Sequence, residues 1–134
     1  MAATPDGQVD TAGGPVLRRT RDPMSELTPA RIGLLIDYID DEGGFDENIL
    51  PSLQLVADEY VERGILERPV EFVVRAVQGL PNGSFRAVRD AFFELVEQDS
   101  LLIFGPWVSE NGAALRRYVE ELAEVACITM AATE

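Results

Sequence analysis

Residues 101–122 read LLIFGPWVSENGAALRRYVEEL, and the hydrophobic period changes within this stretch. Residues 101–104 form an apolar run that is too short for a helix and ends at Gly105-Pro106, which is typical of a strand covered on both faces. Beyond the turn, Ser109 stands where a helix would begin, and a hydroxyl there commonly caps the first-turn amides. The helix that follows is predicted to pack one side on a sheet through Ala114, Leu115, Tyr118, Val119 and Leu122.

The composition limits both the partners and the chemistry of the chain. Its 134 residues suit one domain, and 46% of them are apolar, which is enough for a core. The formal net charge is −13, and all 11 cationic residues are arginines, because the sequence contains no lysine and no histidine. Such a chain repels phosphate backbones, so we expect no nucleic-acid partner. Cys127 is the single cysteine, which excludes an internal disulfide, and no apolar run is long enough to span a bilayer.

The rest of the chain follows the same pattern of strand and helix. Residues 1–30 are rich in Pro, Gly, Thr and Ala and predict a disordered arm. Apolar runs at residues 32–36, 70–77 and 126–130 predict three more strands. Residues 47–63 predict a helix that Gly64 ends, and a further helix follows a cap at Asn82 or Ser84. The predicted buried side of the first helix consists of Ile49, Leu50, Leu53, Val56, Ala57, Tyr60 and Val61.

The resulting order, β-α-β-α-β-α-β, predicts an α/β fold with an open parallel sheet of about four strands and helices on both faces. Single helices between strands require parallel, right-handed connections, so the loops after the strands gather at one edge. That edge is where ligands bind in open α/β sheets. No helix follows the last strand, so we expect residues 31–134 to be a partial lobe and the chain to self-associate through uncovered apolar surface.

The missing residue types exclude several kinds of catalytic site. Without histidine there is no Ser-His-Asp triad, and without lysine there is no P-loop or Schiff base. We therefore expect a protein that is not an enzyme and needs no cofactor or metal. An alternative is a receiver-like or flavodoxin-like signalling domain, because Asp37, Asp40 and Asp41 lie in an acidic loop after the first strand. Phosphorylation of one of these aspartates by a phosphodonor with magnesium would favour that alternative.

Three short motifs, in order, resemble one family. They are GILERPVE at residues 64–71, FGPWVS at 104–109 and ITMAAT at 128–133. Together they are similar to the type 1 periplasmic-binding-protein fold, and within it to the leucine/isoleucine/valine-binding family of ABC-transporter substrate-binding proteins. The resemblance covers residues 31–134 as part of an N-terminal lobe. It implies a small amino-acid or amide ligand, with a transporter permease or a regulatory protein as the macromolecular partner.

The resemblance also implies ligand-binding residues. Ser109 matches a serine that binds the ligand carboxylate, and Ala131 and Thr133 match a segment that holds the amino-acid head group. Tyr38 and Phe45 lie in the loop that contacts the ligand side chain in the family, and Trp107 is a candidate pocket wall. Met130 replaces the proline that is usual before this segment.

Two roles remain open for such a lobe. One is solute capture for transport outside the cytoplasm, and the other is a cytosolic amide or amino-acid sensor of the same fold, which the lack of a recognisable secretory signal favours. Cell fractionation distinguishes them, because a protein found only outside the membrane cannot be the sensor.

Overall fold

The computed structural model describes residues 27–122 and 124–129. Strands β1 (Ala30–Ile36), β2 (Val70–Ala76), β3 (Leu102–Phe104) and β4 (Ala126–Ile128) alternate with helices α1 (Ile49–Glu62), α2 (Phe85–Glu97) and α3 (Ser109–Leu122). All strand pairs are parallel, and the strand order is β2-β1-β3-β4. The predicted α/β fold, the strand number and the alternation are thus confirmed. Most of the predicted disordered arm, and Met130, Ala131 and Thr133, lie outside the described residues.

Local signals place the helix ends where the sequence predicts them. The Ser84 hydroxyl accepts a hydrogen bond from the Ala87 amide at 3.1 Å and caps α2, so Ser84 rather than Asn82 is the cap. Helix α1 contains Pro51 in its first turn, where a missing N–H costs nothing, and Gly64 follows its last residues with φ +76°. Helix α3 begins at Ser109.

The main core lies between the sheet and the pair α2 and α3. Leu35 and Ile103 project from the central strands toward Leu95 and Phe92 of α2 and Leu115 of α3, and all five are essentially buried. Leu34 and Ile36 alternate with Leu35 and therefore face the opposite side of the sheet, where they are also buried. A right-handed connection carries α1 across that side, so helices cover both faces.

Coverage of the second face is incomplete, and two predictions are wrong here. Ile103 of β3 is buried, but Leu102 and Phe104 on its other face are partly exposed, so β3 is fully covered on one face only. Val56 and Tyr60 of α1, predicted as buried, are exposed. Helix α1 contacts the edge strand β2, so only one narrow side of the helix has sheet beneath it. At the other end of the sheet, Ile128 of β4 is 49% exposed.

Candidate functional site

The strand order reverses direction between β1 and β3. The chain goes from β1 to β2 on one side and then returns across β1 to β3 on the other, so the loops after β1 and β3 lead to helices on opposite faces of the sheet. The crevice at such a switch point is the usual ligand position in open α/β sheets. We refer to the loops after β1, β2 and β3 (residues 37–48, 77–84 and 105–110) as the carboxyl rim.

A buried carboxylate joins two of these loops. Asp37 follows β1 directly and is 1% exposed. One of its oxygens accepts the Trp107 amide at 2.7 Å, and the other accepts the Val108 amide at 3.0 Å and the Asn111 side-chain amide at 2.7 Å. The backbone amides of Trp107 and Val108 directly precede α3, so Asp37, at the end of the neighbouring strand β1, satisfies donors at the N-terminus of this helix. The amides of Trp107 and Val108 are therefore occupied by a side chain of the same protein.

Asn111 ties the third loop into the same arrangement. Its side chain is fully buried, accepts the Leu80 amide at 3.1 Å and donates to the Leu80 carbonyl at 3.2 Å. The Gly79 amide donates to the Asp37 carbonyl at 3.0 Å. Glycine is required at 79, because a Cβ there would stand 2.5 Å from the Asn111 amide nitrogen. The loops after β1, β2 and β3 are therefore held together by one hydrogen-bond network.

The structure places four of the predicted site residues on the carboxyl rim. Tyr38 follows Asp37 and is 57% exposed, while Trp107 and Ser109 follow the adjacent strand β3 and are partly exposed. Phe45, also partly exposed, lies between the turn at residues 40–44 and α1. The parallel pairing of β1 with β3 brings Tyr38, Trp107 and Ser109 to the same switch point. Ala131 and Thr133 fall outside the described residues, although the nearby Thr129 side chain approaches Gly112 in the first turns of α3.

Trp107 carries the one unusual polar atom of the rim. Its indole Nε1 is buried, and within the described part of the chain it has no hydrogen-bond acceptor. A buried donor without an acceptor costs about 1–3 kcal/mol. Because this atom has almost no solvent contact, an external acceptor does not reach it in the observed arrangement of the rim.

The acidic loop does not form a cation site among the described residues. The Asp40 carboxylate accepts the amides of Glu42 and Gly44 at 2.9 and 2.7 Å and so shapes its own turn, while Asp37 faces α3. No group of three or more potential metal ligands occurs in the described ranges. Nor is any helix in those ranges long and apolar enough to cross a membrane.

Cys127 lies in β4, where it pairs with Ile103 of β3. Its thiol donates to the Gly105 carbonyl at 3.1 Å, and burial raises the pKa of the thiol to about 11. The thiol is therefore protonated at neutral pH, which fits packing rather than nucleophilic chemistry.

Two residues of the network, Asp37 and Asn111, were not predicted in these roles. Asn111 lies four residues before Leu115 on the buried side of α3, so its helical position indicated that it faces the sheet. Asp37 gave no comparable signal, because an aspartate after a strand fits an exposed acidic loop equally well.

Comparisons with protein-family profiles, with curated protein sequences and with solved structures found no match to this chain. The family resemblance therefore stays a prediction, and the function must be argued from the carboxyl rim itself.

Proposed function

We propose that the chain is a solute-binding lobe for a small amino-acid or amide ligand, of the kind that serves an ABC-type transport system, and that it acts by binding rather than by catalysis. The observation that carries the proposal is the placement of Tyr38, Trp107 and Ser109 together at the point where the strand order reverses.

The surroundings of Trp107 support a small, partly apolar ligand. Tyr38 offers an exposed aromatic ring from the loop after β1, and Ser109 offers a hydroxyl at the start of α3. Such sites combine apolar walls with a few fixed polar groups that orient the ligand. Asp37 and Asn111 hold the loops in place, so the rim does not have to be ordered by the ligand, and preorganisation of this kind lowers the cost of binding.

The residue types argue for binding over catalysis. The chain lacks histidine and lysine, and the buried Asp37 carboxylate is fully engaged with the backbone and Asn111. The described rim therefore offers hydrogen-bonding groups and aromatic surface, but no nucleophile paired with a base.

Nuclear magnetic resonance gives a direct test. Trp107 is the only tryptophan, so the ¹⁵N-labelled chain has one indole N–H signal that needs no assignment. We expect branched-chain amino acids or small amides, titrated to tens of millimolar, to shift this signal in a saturable way. Ser109→Ala should weaken the binding several-fold, whereas Ser52→Ala, on the exposed side of α1, should leave it unchanged.

Two results would reject the proposal. One is an indole signal that does not respond to any member of a broad panel of amino acids and amides. The other is a response that Ser109→Ala and Ser52→Ala leave equally unaffected, since the ligand would then bind away from the rim.

A further inference from the structure

We infer that residues 15–21 of this chain, with the sequence PVLRRTR, bind in an apolar groove on the incompletely covered face of the sheet. The inference goes beyond the proposed function, because it concerns a surface formed by α1, β3 and β4 and requires no ligand at the carboxyl rim. It is supported by the shape of the groove, by the place where the chain enters the fold, and by charge.

Strands β3 and β4 form the floor of the groove. The in-register pairing puts Leu34, Phe104 and Ile128 in one row on the same face of the sheet. Exposure rises along this row, because Leu34 is 1% exposed, Phe104 is partly exposed and Ile128 is 49% exposed. Leu102, two residues before Phe104, lies on the same face and is also partly exposed. Cover on this face of the sheet therefore ends beyond β1.

One side of α1 forms the wall of the groove. Gln54 donates to the Val70 carbonyl at 3.2 Å, and this carbonyl points away from β1, because the carbonyl before it accepts an amide of β1. Gln54 thus marks the outer side of α1. Val56 lies about 200° further round the helix and faces the other way, toward β3, and Tyr60 is about one turn beyond it. We call five residues the sheet groove: Val56, Tyr60, Leu102, Phe104 and Ile128.

The exposed surface of α1 differs from that of the other two helices. Leu55, Val56 and Tyr60 are exposed in α1. In contrast, every exposed residue of α2 is charged, and every exposed residue of α3 is charged except Ala113. An apolar helix surface beside uncovered strands is typical of a contact with a further segment or partner.

The segment is long enough to reach any point of the sheet groove. The Thr28 carbonyl accepts a hydrogen bond at 3.3 Å from Arg68, so the chain enters β1 beside the connection that follows α1. Leu17 precedes Thr28 by 11 residues, which span up to about 36 Å when extended. Helix α1, which forms the wall of the groove, is about 21 Å long. The segment can therefore cross the groove to its far end, where the loop before α1 lies.

Charge favours this segment over a second copy of the chain as the occupant. Arg18, Arg19 and Arg21 give residues 15–21 three positive charges and no negative one, next to the apolar Val16 and Leu17. The loop at the far end of the groove contains five acidic residues: Asp40, Asp41, Glu42, Asp46 and Glu47. A second copy would bring a net charge of −13 toward this loop, whereas the segment brings opposite charge. Its connection to β1 also holds it at an effective concentration of about millimolar.

Disulfide trapping in the full 134-residue chain tests the inference. In a Cys127→Ser background, Leu17→Cys is combined either with Val56→Cys in the groove or with Arg86→Cys, which is exposed on α2 at the opposite face of the sheet. Each protein is oxidised with glutathione disulfide at low micromolar concentration, and the products are separated by non-reducing electrophoresis. We expect the disulfide within one chain to form at least tenfold faster for the Val56→Cys pair than for the Arg86→Cys pair.

Two further variants of the Val56→Cys pair test the role of the arginines. Replacing the three arginines of residues 15–21 by serine should slow the disulfide at least fivefold, because the attraction to the acidic loop is lost. Replacing Arg86, Arg116 and Arg117 by serine removes the same charge from the surface of α2 and α3 and should leave the rate within twofold. Far-ultraviolet circular dichroism checks that each variant is folded, and Tyr60→Cys takes the place of Val56→Cys if that pair does not fold.

Each outcome supports or overturns the inference. Equal rates for the Val56→Cys and Arg86→Cys pairs would overturn it. A disulfide between two chains, seen as a product of twice the mass, would place a second copy in the sheet groove and overturn it as well. Equal slowing by the two sets of serine substitutions would overturn the role of the arginines of residues 15–21. None of these measurements uses a ligand, so their failure leaves the proposed function standing.

Discussion

Replacing Asp37 by alanine should destabilise the fold more than any other single loss of charge in the described chain. The substitution removes the acceptor for three donors, the amides of Trp107 and Val108 and the side chain of Asn111. Hydrogen bonds to a charged group contribute about 1.5–3 kcal/mol each, and water can replace part of that at the rim. We therefore expect a loss of about 4 kcal/mol, which is a large part of the 5–15 kcal/mol typical of a domain.

Urea denaturation measures this loss, with Trp107 fluorescence and far-ultraviolet circular dichroism as two probes of one transition. In thermal unfolding the same loss lowers the midpoint by about 15 °C or more for a domain of this size. Asp37→Asn should cost about 2 kcal/mol, because the amide oxygen replaces one acceptor while the NH₂ group faces other donors. If Asp37→Ala is too unstable to measure, the loss of unfolding free energy in Asp37→Asn tests the same network instead.

Asp40→Ala is the matched control, because it removes a carboxylate with two amide partners from an exposed part of the same loop. We expect it to cost less than about 1 kcal/mol, as water solvates the freed amides. The reasoning is refuted if Asp37→Ala stays within about 1 kcal/mol of wild type, or if Asp40→Ala costs as much.

Three further predictions concern packing, titration and association. Gly105 has φ +121°, and a Cβ there would overlap the Leu35 carbonyl oxygen. Gly105→Ala should therefore lower the free energy of unfolding by about 3 kcal/mol or more. Gly43→Ala is the control and should lower it by about 1 kcal/mol, because φ there is +86° but no atom is near. Equal losses of unfolding free energy would contradict this. The Cys127 thiol, with its pKa raised to about 11, should react with iodoacetamide slowly at pH 8. The unfolded thiol ionises near pH 9, so between about pH 9 and 11 only the unfolded chain gains this charge. The unfolding free energy of the wild type should therefore fall over that range relative to that of Cys127→Ser. Parallel plots of unfolding free energy against pH for the two proteins would refute this prediction. Light scattering should show concentration-dependent association that salt strengthens, because salt screens the net charge of −13. Ile128→Ser should weaken this association, since Ile128 is exposed on β4. A sharp wild-type monomer peak at high concentration would refute the predicted self-association.

The sequence alone determined the alternation of strands and helices, because that information is local. The apolar run at residues 101–104 and the Gly-Pro turn mark β3, and Ser84 and Gly64 mark helix ends through the capping chemistry of single residues. Parallel pairing follows from the connections, since one helix between two strands leaves no other arrangement. Those signals were enough to place Tyr38, Trp107 and Ser109 at one edge.

Tertiary structure alone decided how much of each surface is covered and what occupies the α3 N-terminus. Val56 has the spacing of a buried residue, yet it is exposed because α1 lies over an edge strand, and periodicity does not specify which strand a helix covers. Asp37 and the amide of Trp107 are 70 residues apart in sequence and hydrogen-bond only because β1 and β3 are neighbours in space. Long-range contacts of this kind depend on strand order, and no local pattern encodes it.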